Sequence, residues 1–153
     1  MQYDILPFVD ALSRTFRDMA EIEIGIGPVE EPDGTIVYSD ATATIGLMGT
    51  ERASLVMTVE EPLALEITQR VTGKTADLED RLVSDTIGEL LNMVVGAAQR
   101  GSPVKFDFSL PVSIRGKNHE VRAVSKGYFR RVLCNASGGK VGLYLARTPV
   151  TDA

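Results

Sequence analysis

Apolar side chains recur along this chain at two spacings, and the switches between them divide it into elements. From Asp4 to Ala20 they fall at Ile5, Phe8, Val9, Leu12, Phe16 and Met19. Steps of three and four residues draw one stripe on a helix, so the segment predicts an amphipathic helix with that stripe buried. Asp4 is placed to cap it, and Pro7 lies in its first turn. Asp10, Arg14, Arg17 and Asp18 fill the opposite face, which belongs in water.

The period then drops to two. Glu21 to Val29 alternates Ile22, Ile24 and Ile26 with acids and glycine, the pattern of a strand. Pro32-Asp33-Gly34 supplies a turn, and Thr35 to Leu47, rich in Thr, Val, Ile and Tyr, predicts a long second strand. Gly46, Gly49 and Thr50 mark another turn before a third strand at Arg52 to Val59. Turns this short favour antiparallel hairpins between sequence neighbours. Helical spacing returns from Glu61 to Val71, with Pro62 at its start and Gly73 beyond its end. A longer helix follows from Asp77 to about Gln99. The last third is again β: Lys105 to Ile114, Val121 to Ser125, Tyr128 to Asn135 and Lys140 to Ala146, with Ser137-Gly138-Gly139 as a hairpin turn. These elements predict an α+β fold, with helices on one face of a largely antiparallel sheet and the other face meeting solvent or a partner.

Composition narrows the function. A length of 153 residues suits one domain spanning 1–153, and 44% hydrophobic with 24% charged residues argues against global disorder. The net charge of −5 lacks the basic footprint of a nucleic-acid binder or a polybasic membrane anchor. Cys134 is the only cysteine and His119 the only histidine, which excludes an internal disulfide, a thiolate zinc cluster and a His-rich metal site. The apolar stretch Leu90 to Ala98 is interrupted by Asn92 and too short to span a bilayer. Met1-Gln2-Tyr3-Asp4 has no basic lead-in for secretion, so a cytoplasmic soluble domain is expected.

The third helix holds the candidate chemistry. Val83, Ile87, Leu90, Leu91, Val94 and Ala98 share one face and predict a core contact. Asp85, Glu89, Asn92, Gly96 and Gln99 form a second stripe at steps of four, three, four and three. Asparagine inside a helix is roughly 0.5 kcal/mol worse than alanine, and Gly88 and Gly96 each cost about 1 kcal/mol. Glycines without Cβ bulk and an amide that both donates and accepts would suit close approach by another molecule. The same residues serve equally as a solvated asparagine or a partner to a nearby loop, as glycines for helix–sheet packing, and as a surface acid at Glu89.

The run Asp85-x-x-x-Glu89-x-x-Asn92, with a later proline at Pro111, resembles the signature of the chemotaxis phosphatase family of CheX, CheC and FliY. The string Ile87-Gly88-Glu89-Leu90-Leu91-Asn92-Met93 followed by Gly96 adds to the likeness, and the order of elements is similar to CheX over nearly the whole chain. Pro111 sits on a shorter connection than the family's proline. CheC-type members carry two signatures, whereas the first helix here contains no asparagine, so one site per chain is implied, as in the homodimeric CheX.

That resemblance implies a CheC-like/CheX-like fold and a phosphatase acting on the aspartyl phosphate of a CheY-like response regulator. It assigns water positioning to Asn92 and pairing with the regulator's lysine to Glu89. Asp85, Gly88, Gly96 and Gln99 would serve partner binding. Mg²⁺ would come from the regulator, with no cofactor of this chain's own. The competing expectations are a non-catalytic adaptor or flagellar-switch-like module, and a sensor that docks without hydrolysis. Other schemes have less support. His119 follows a turn-like Gly116-Lys117-Asn118 and reads as a solvated loop histidine, and Cys134 reads as a small core residue in a strand. Gly25-x-Gly27 precedes no helix, Gly138-Gly139-Lys140 lacks the rest of a phosphate loop, and Arg130-Arg131 is too short a basic run for nucleic acid.

Overall fold

Asp4 opens the first helix by accepting a hydrogen bond from the Leu6 amide at 3.0 Å, and α1 runs over Ile5–Ala20. The structure is a computed structural model and describes residues 3–34, 36–123 and 127–148. Ile5, Phe8, Val9, Leu12 and Phe16 are buried along the expected stripe. Met19, expected among them, is 42% exposed. The chain leaves the helix through a left-handed Glu21, whose amide and that of Ile22 bond back to Arg17 and Phe16, and Ile22 enters the core instead.

Seven strands follow around two more helices: β1 (Gly25–Glu30), β2 (Ile36–Met48), β3 (Arg52–Val59), α2 (Glu61–Thr72), α3 (Arg81–Gly101), β4 (Asp107–Phe108), β5 (Val112–Arg122), β6 (Phe129–Ala136) and β7 (Gly139–Arg147). All strand pairs are antiparallel, in the order β1-β6-β7-β3-β2-β4, with β5 also on β2. The architecture is the expected one, three helices on an antiparallel sheet.

Several elements depart from their expected form. β1 does not form a hairpin with β2; it pairs with β6 at the far edge. Pro28 explains the placement, because it has no amide to donate and a strand holding it is confined to an edge or bulge. The register shifts between Ile26 and Val29, around that proline. The strand expected over Lys105 to Ile114 breaks into β4 and β5 at Ser109-Leu110-Pro111, again at a proline. The segment expected from Val121 to Ser125 is in part the end of β5; Val124 and Ser125 lie outside the described residues, as does Thr35 of the second strand.

The helices cover one face of the sheet. Ile45, Leu47, Leu55, Met57, Leu143 and Leu145 meet Leu12, Phe16, Leu63, Ile67, Ile87 and Leu91 in one buried cluster. The opposite face was expected to meet solvent or a partner, but part of it is closed by the chain itself. Val56, Phe129 and Tyr144 form a second cluster there, covered by Val37 of β2, Val121 of β5 and Ala123. The Phe129 and Tyr144 rings meet edge to face at 5.9 Å.

The β1–β6 contact gives a paired test. A Cβ at Gly27 would collide with the Leu133 carbonyl oxygen, whereas one at Gly25 would sit 3.7 Å from the Asn135 oxygen, an ordinary contact. Gly27→Ala should lower unfolding free energy by about 1–3 kcal/mol, and Gly25→Ala should change it far less, as read by urea titration of both variants.

Candidate functional site

α3 is built to be held firmly on its inner side. Asp80 caps it, its carboxylate accepting the Leu82 amide at 2.9 Å. The helix therefore starts at Arg81, four residues after the expected Asp77, which instead closes a turn by accepting the Asp80 amide. Val83, Ile87, Leu90, Leu91, Val94 and Ala98 are all buried, as the spacing predicts, and Val95 joins them.

One flank of α3 lies against the chain from β4 into β5. A Cβ at Gly88 would stand 2.5 Å from the Ser113 Oγ and 3.6 Å from the Pro111 Cγ. Two turns later a Cβ at Gly96 would stand 4.0 Å from the Phe108 ring. Gln99 donates from Nε2 to the Phe106 carbonyl at 2.7 Å. At the other end Arg115 donates to the Glu79 carbonyl at 2.7 Å and to the Ser84 hydroxyl at 3.1 Å. Ser113 and Arg115 are not evident from helical spacing, because the Arg115–Ser84 contact spans 31 residues of sequence.

This geometry separates the candidate residues of α3 into two groups. Gly88 is buried and Gln99 is engaged, so both face the protein's own chain. Asp85 and Glu89 are exposed, and Asn92 and Gly96 are half-buried beside them. Among the described residues no side-chain hydrogen bond or ion pair restrains Asp85, Glu89 or Asn92. Glu89 and Asn92 stand about 60° apart around the helix and about 4.5 Å apart along it. A carboxylate and a carboxamide are thus displayed side by side on a convex helix. The cavities of about 560 Å³ near Gln99 and Lys105 and about 260 Å³ near Tyr38 and Tyr144 do not include them. Such a pair is suited to entering a cleft in another molecule rather than to enclosing a small substrate.

The remaining candidates have structural roles. His119 is on β5 rather than in a loop, with Nε2 2.8 Å from the Thr42 hydroxyl and Nδ1 2.7 Å from the Gly116 carbonyl. The glycine and asparagine that suggested a turn form an irregular stretch of the strand, with φ of 142° at Gly116 and 51° at Asn118. Cys134 is fully buried, and burial raises its thiol pKa. Arg130 pairs with Glu31 and Arg131 with Glu30. Among the described residues no group of three or more His, Cys, Asp or Glu is arranged to hold a metal, and no helix is long and apolar enough to cross a membrane.

The family model for chemotaxis phosphatase CheX matches residues 41–134, a span that contains all of α3 and β5. The chain belongs to this CheX family. It is similar to the chemotaxis protein CheX of Vibrio vulnificus, with 30% identity, a TM-score of 0.84 and coverage of 92% of this chain and 95% of that one. A CheC-like superfamily protein from Shewanella sp. PV-4 is 31% identical, with a TM-score of 0.80 over 93% and 95% of the two chains. The fold also matches Borrelia burgdorferi CheX, solved as a complex with CheY, BeF₃ and Mg²⁺, at 23% identity and a TM-score of 0.76 over 97% and 100%. No curated protein matches the chain.

The Gly88 contact can be tested by a double-mutant cycle. Alanine at 88 gains about 1 kcal/mol of helix propensity but meets the Ser113 hydroxyl. In a Ser113→Ala background only the ordinary contact with Pro111 remains. Gly88→Ala should therefore be more favourable in that background by about 1 kcal/mol, measured by denaturant unfolding of the four proteins.

Proposed function

We propose that this chain is a phosphatase for the aspartyl phosphate of a CheY-like response regulator. The observation that supports it best is the unengaged Glu89–Asn92 pair on the outer side of a helix whose inner side is fixed. Membership of the CheX family supports the reaction class, and the Borrelia complex supports the class of partner.

The mechanism follows from what the two groups can do. The Asn92 amide has two donors and an acceptor, so it can hold a water in line with the phosphorus atom. As that water attacks, the bond from phosphorus to the regulator's aspartate breaks. The carboxylate is restored, and the phosphoryl group leaves as inorganic phosphate carrying the water's oxygen, with the two protons of the water shared between that phosphate and solvent. Glu89 pairs with the regulator's lysine and so fixes how far the amide penetrates. Asp85, on the same side one turn earlier, adds a weaker docking contact. Gly96 keeps the helix surface low beside the amide, while Gly88 and Gln99 support docking from beneath by holding α3 to its own chain. Mg²⁺ would be held by the regulator, where it would supply charge neutralisation for the phosphoryl group. The contribution of this chain is positioning, with no covalent intermediate on it.

Asn92→Ala should abolish stimulated phosphate release from an Mg²⁺-loaded phosphorylated regulator while leaving unfolding free energy unchanged or raised by about 0.5 kcal/mol. Undiminished activity would remove Asn92 from the mechanism and favour the non-catalytic module. Glu89→Lys should weaken binding to the same regulator more than Glu89→Ala; equal affinity in all three proteins would refute the lysine pairing.

The working unit we propose is a cytoplasmic homodimer. β5 pairs only with β2 among the described residues, and it leaves Val112 60% and Ile114 44% exposed along a free strand edge. Light scattering at micromolar concentration should give twice the chain mass of 16.5 kDa. A monomer mass would contradict this.

A further inference from the structure

We propose that Leu110 is the apolar docking residue for the phosphorylated regulator, seated beside Asn92 so that the rim of the regulator's phosphorylation pocket closes on it. The inference rests on the phosphatase reading above and adds to it an apolar contact that contributes to affinity beside the Glu89 pairing.

The placement comes from both ends of the connecting segment. Phe108 faces Gly96, while Pro111 and Ser113 face Gly88. Asn92 lies midway on that helical line, about 6 Å along the axis from each glycine. The two residues joining Phe108 to Pro111, Ser109 and Leu110, therefore pass beside the turn that carries the amide. Ser109 is directed at the sheet: its amide donates to the Gly46 carbonyl at 2.9 Å, and its hydroxyl accepts the Gly46 amide at 2.9 Å. Leu110 is left 83% exposed, the largest exposure among the large apolar residues described. Met93, the neighbour of Asn92 on the helix, adds a second apolar side chain at 38% exposure.

The backbone at Leu110 is constrained on both sides. Its carbonyl accepts the Ser109 hydroxyl at 3.1 Å, and Pro111 follows it with a fixed φ. Little loop ordering is then required on binding. A standard interface covers about 800 Å² on each partner, a disc of about 16 Å radius. A partner centred on Asn92 and of that size would cover the Phe108–Pro111 connection that carries Leu110.

The polar pair fixes register and depth, and burial of an apolar side chain beside it adds affinity. Burying one leucine corresponds to about a tenfold or greater change in affinity.

The test compares the full chain with Leu110→Ser, Leu110→Met and Leu6→Ser. Leu6, on α1, is 53% exposed and lies outside the site. The probe is a panel of purified CheY-like receiver domains, activated with BeF₃⁻ and Mg²⁺ for Kd and phosphorylated for turnover. Leu110→Ser should raise Kd and KM about tenfold with kcat and thermal midpoint unchanged. Leu110→Met should restore both constants, and Leu6→Ser should behave as wild type. Wild-type affinity in Leu110→Ser, with the wild-type chain active, would overturn the inference and leave the phosphatase function standing. A changed association state with unaltered Kd would assign the residue to a second copy of the chain and also overturn it. A wild-type chain that neither binds nor dephosphorylates any receiver would overturn both proposals.

Discussion

The seat of α3 on the β4–β5 segment depends on the missing side chain at Gly88. Ser113 and Pro111 fill the space that a Cβ would occupy, so the helix approaches the strand at one point along its length. Arg115 and Gln99 fix the segments on either side of that point through the Glu79, Ser84 and Phe106 contacts. The rotation of α3 about its axis is set by these contacts together with the buried face from Val83 to Ala98. That rotation brings Glu89 outward and leaves Asn92 half-buried at the edge of the packed flank.

The helix tolerates this composition because its core contacts outweigh it. Gly88, Asn92 and Gly96 together sacrifice about 2–3 kcal/mol of helix propensity. Each fully buried Leu, Ile or Val contributes about 1.5–3 kcal/mol, and α3 buries Val83, Ile87, Leu90, Leu91, Val94 and Val95. Two of those side chains offset the whole penalty. The exposed stripe is therefore free to be chosen for what it touches outside the chain, because packing on the opposite side already secures the helix.

Whether a feature was legible in the sequence depended on how local its cause was. The buried faces of α1 and α3 follow from 3.6-residue periodicity, which needs no partner, and they were read correctly except at Met19. The start of α3 was misplaced because Asp77 and Asp80 are both competent caps, and only the turn between them decides which one acts. The partner of β1 was missed because pairing is non-local. Pro28 was nonetheless a usable signal for an edge strand, as Pro111 was for the break between β4 and β5. Gly116 and Asn118 read as a turn, but their positive φ belongs to an irregularity within β5, which has the same backbone requirement. At the site, spacing alone placed Asp85, Glu89 and Asn92 on one side. It could not distinguish a stripe residue that faces outward from one such as Gln99 that is engaged by its own chain.

A phosphatase that acts by positioning needs rigidity more than reactivity. On the proposed mechanism no strong nucleophile is required of it, since water would attack and the regulator would hold both phosphate and metal. What it must supply is an amide held at the correct depth in another protein, and a misplacement near 1 Å can cost about a hundredfold in rate. The proposed mechanism accounts for the conspicuous features of this chain lying behind the helix rather than on it. The glycine at 88, the hydroxyl at 113 and the guanidinium at 115 touch no substrate, yet they fix the depth and rotation of the two groups that would.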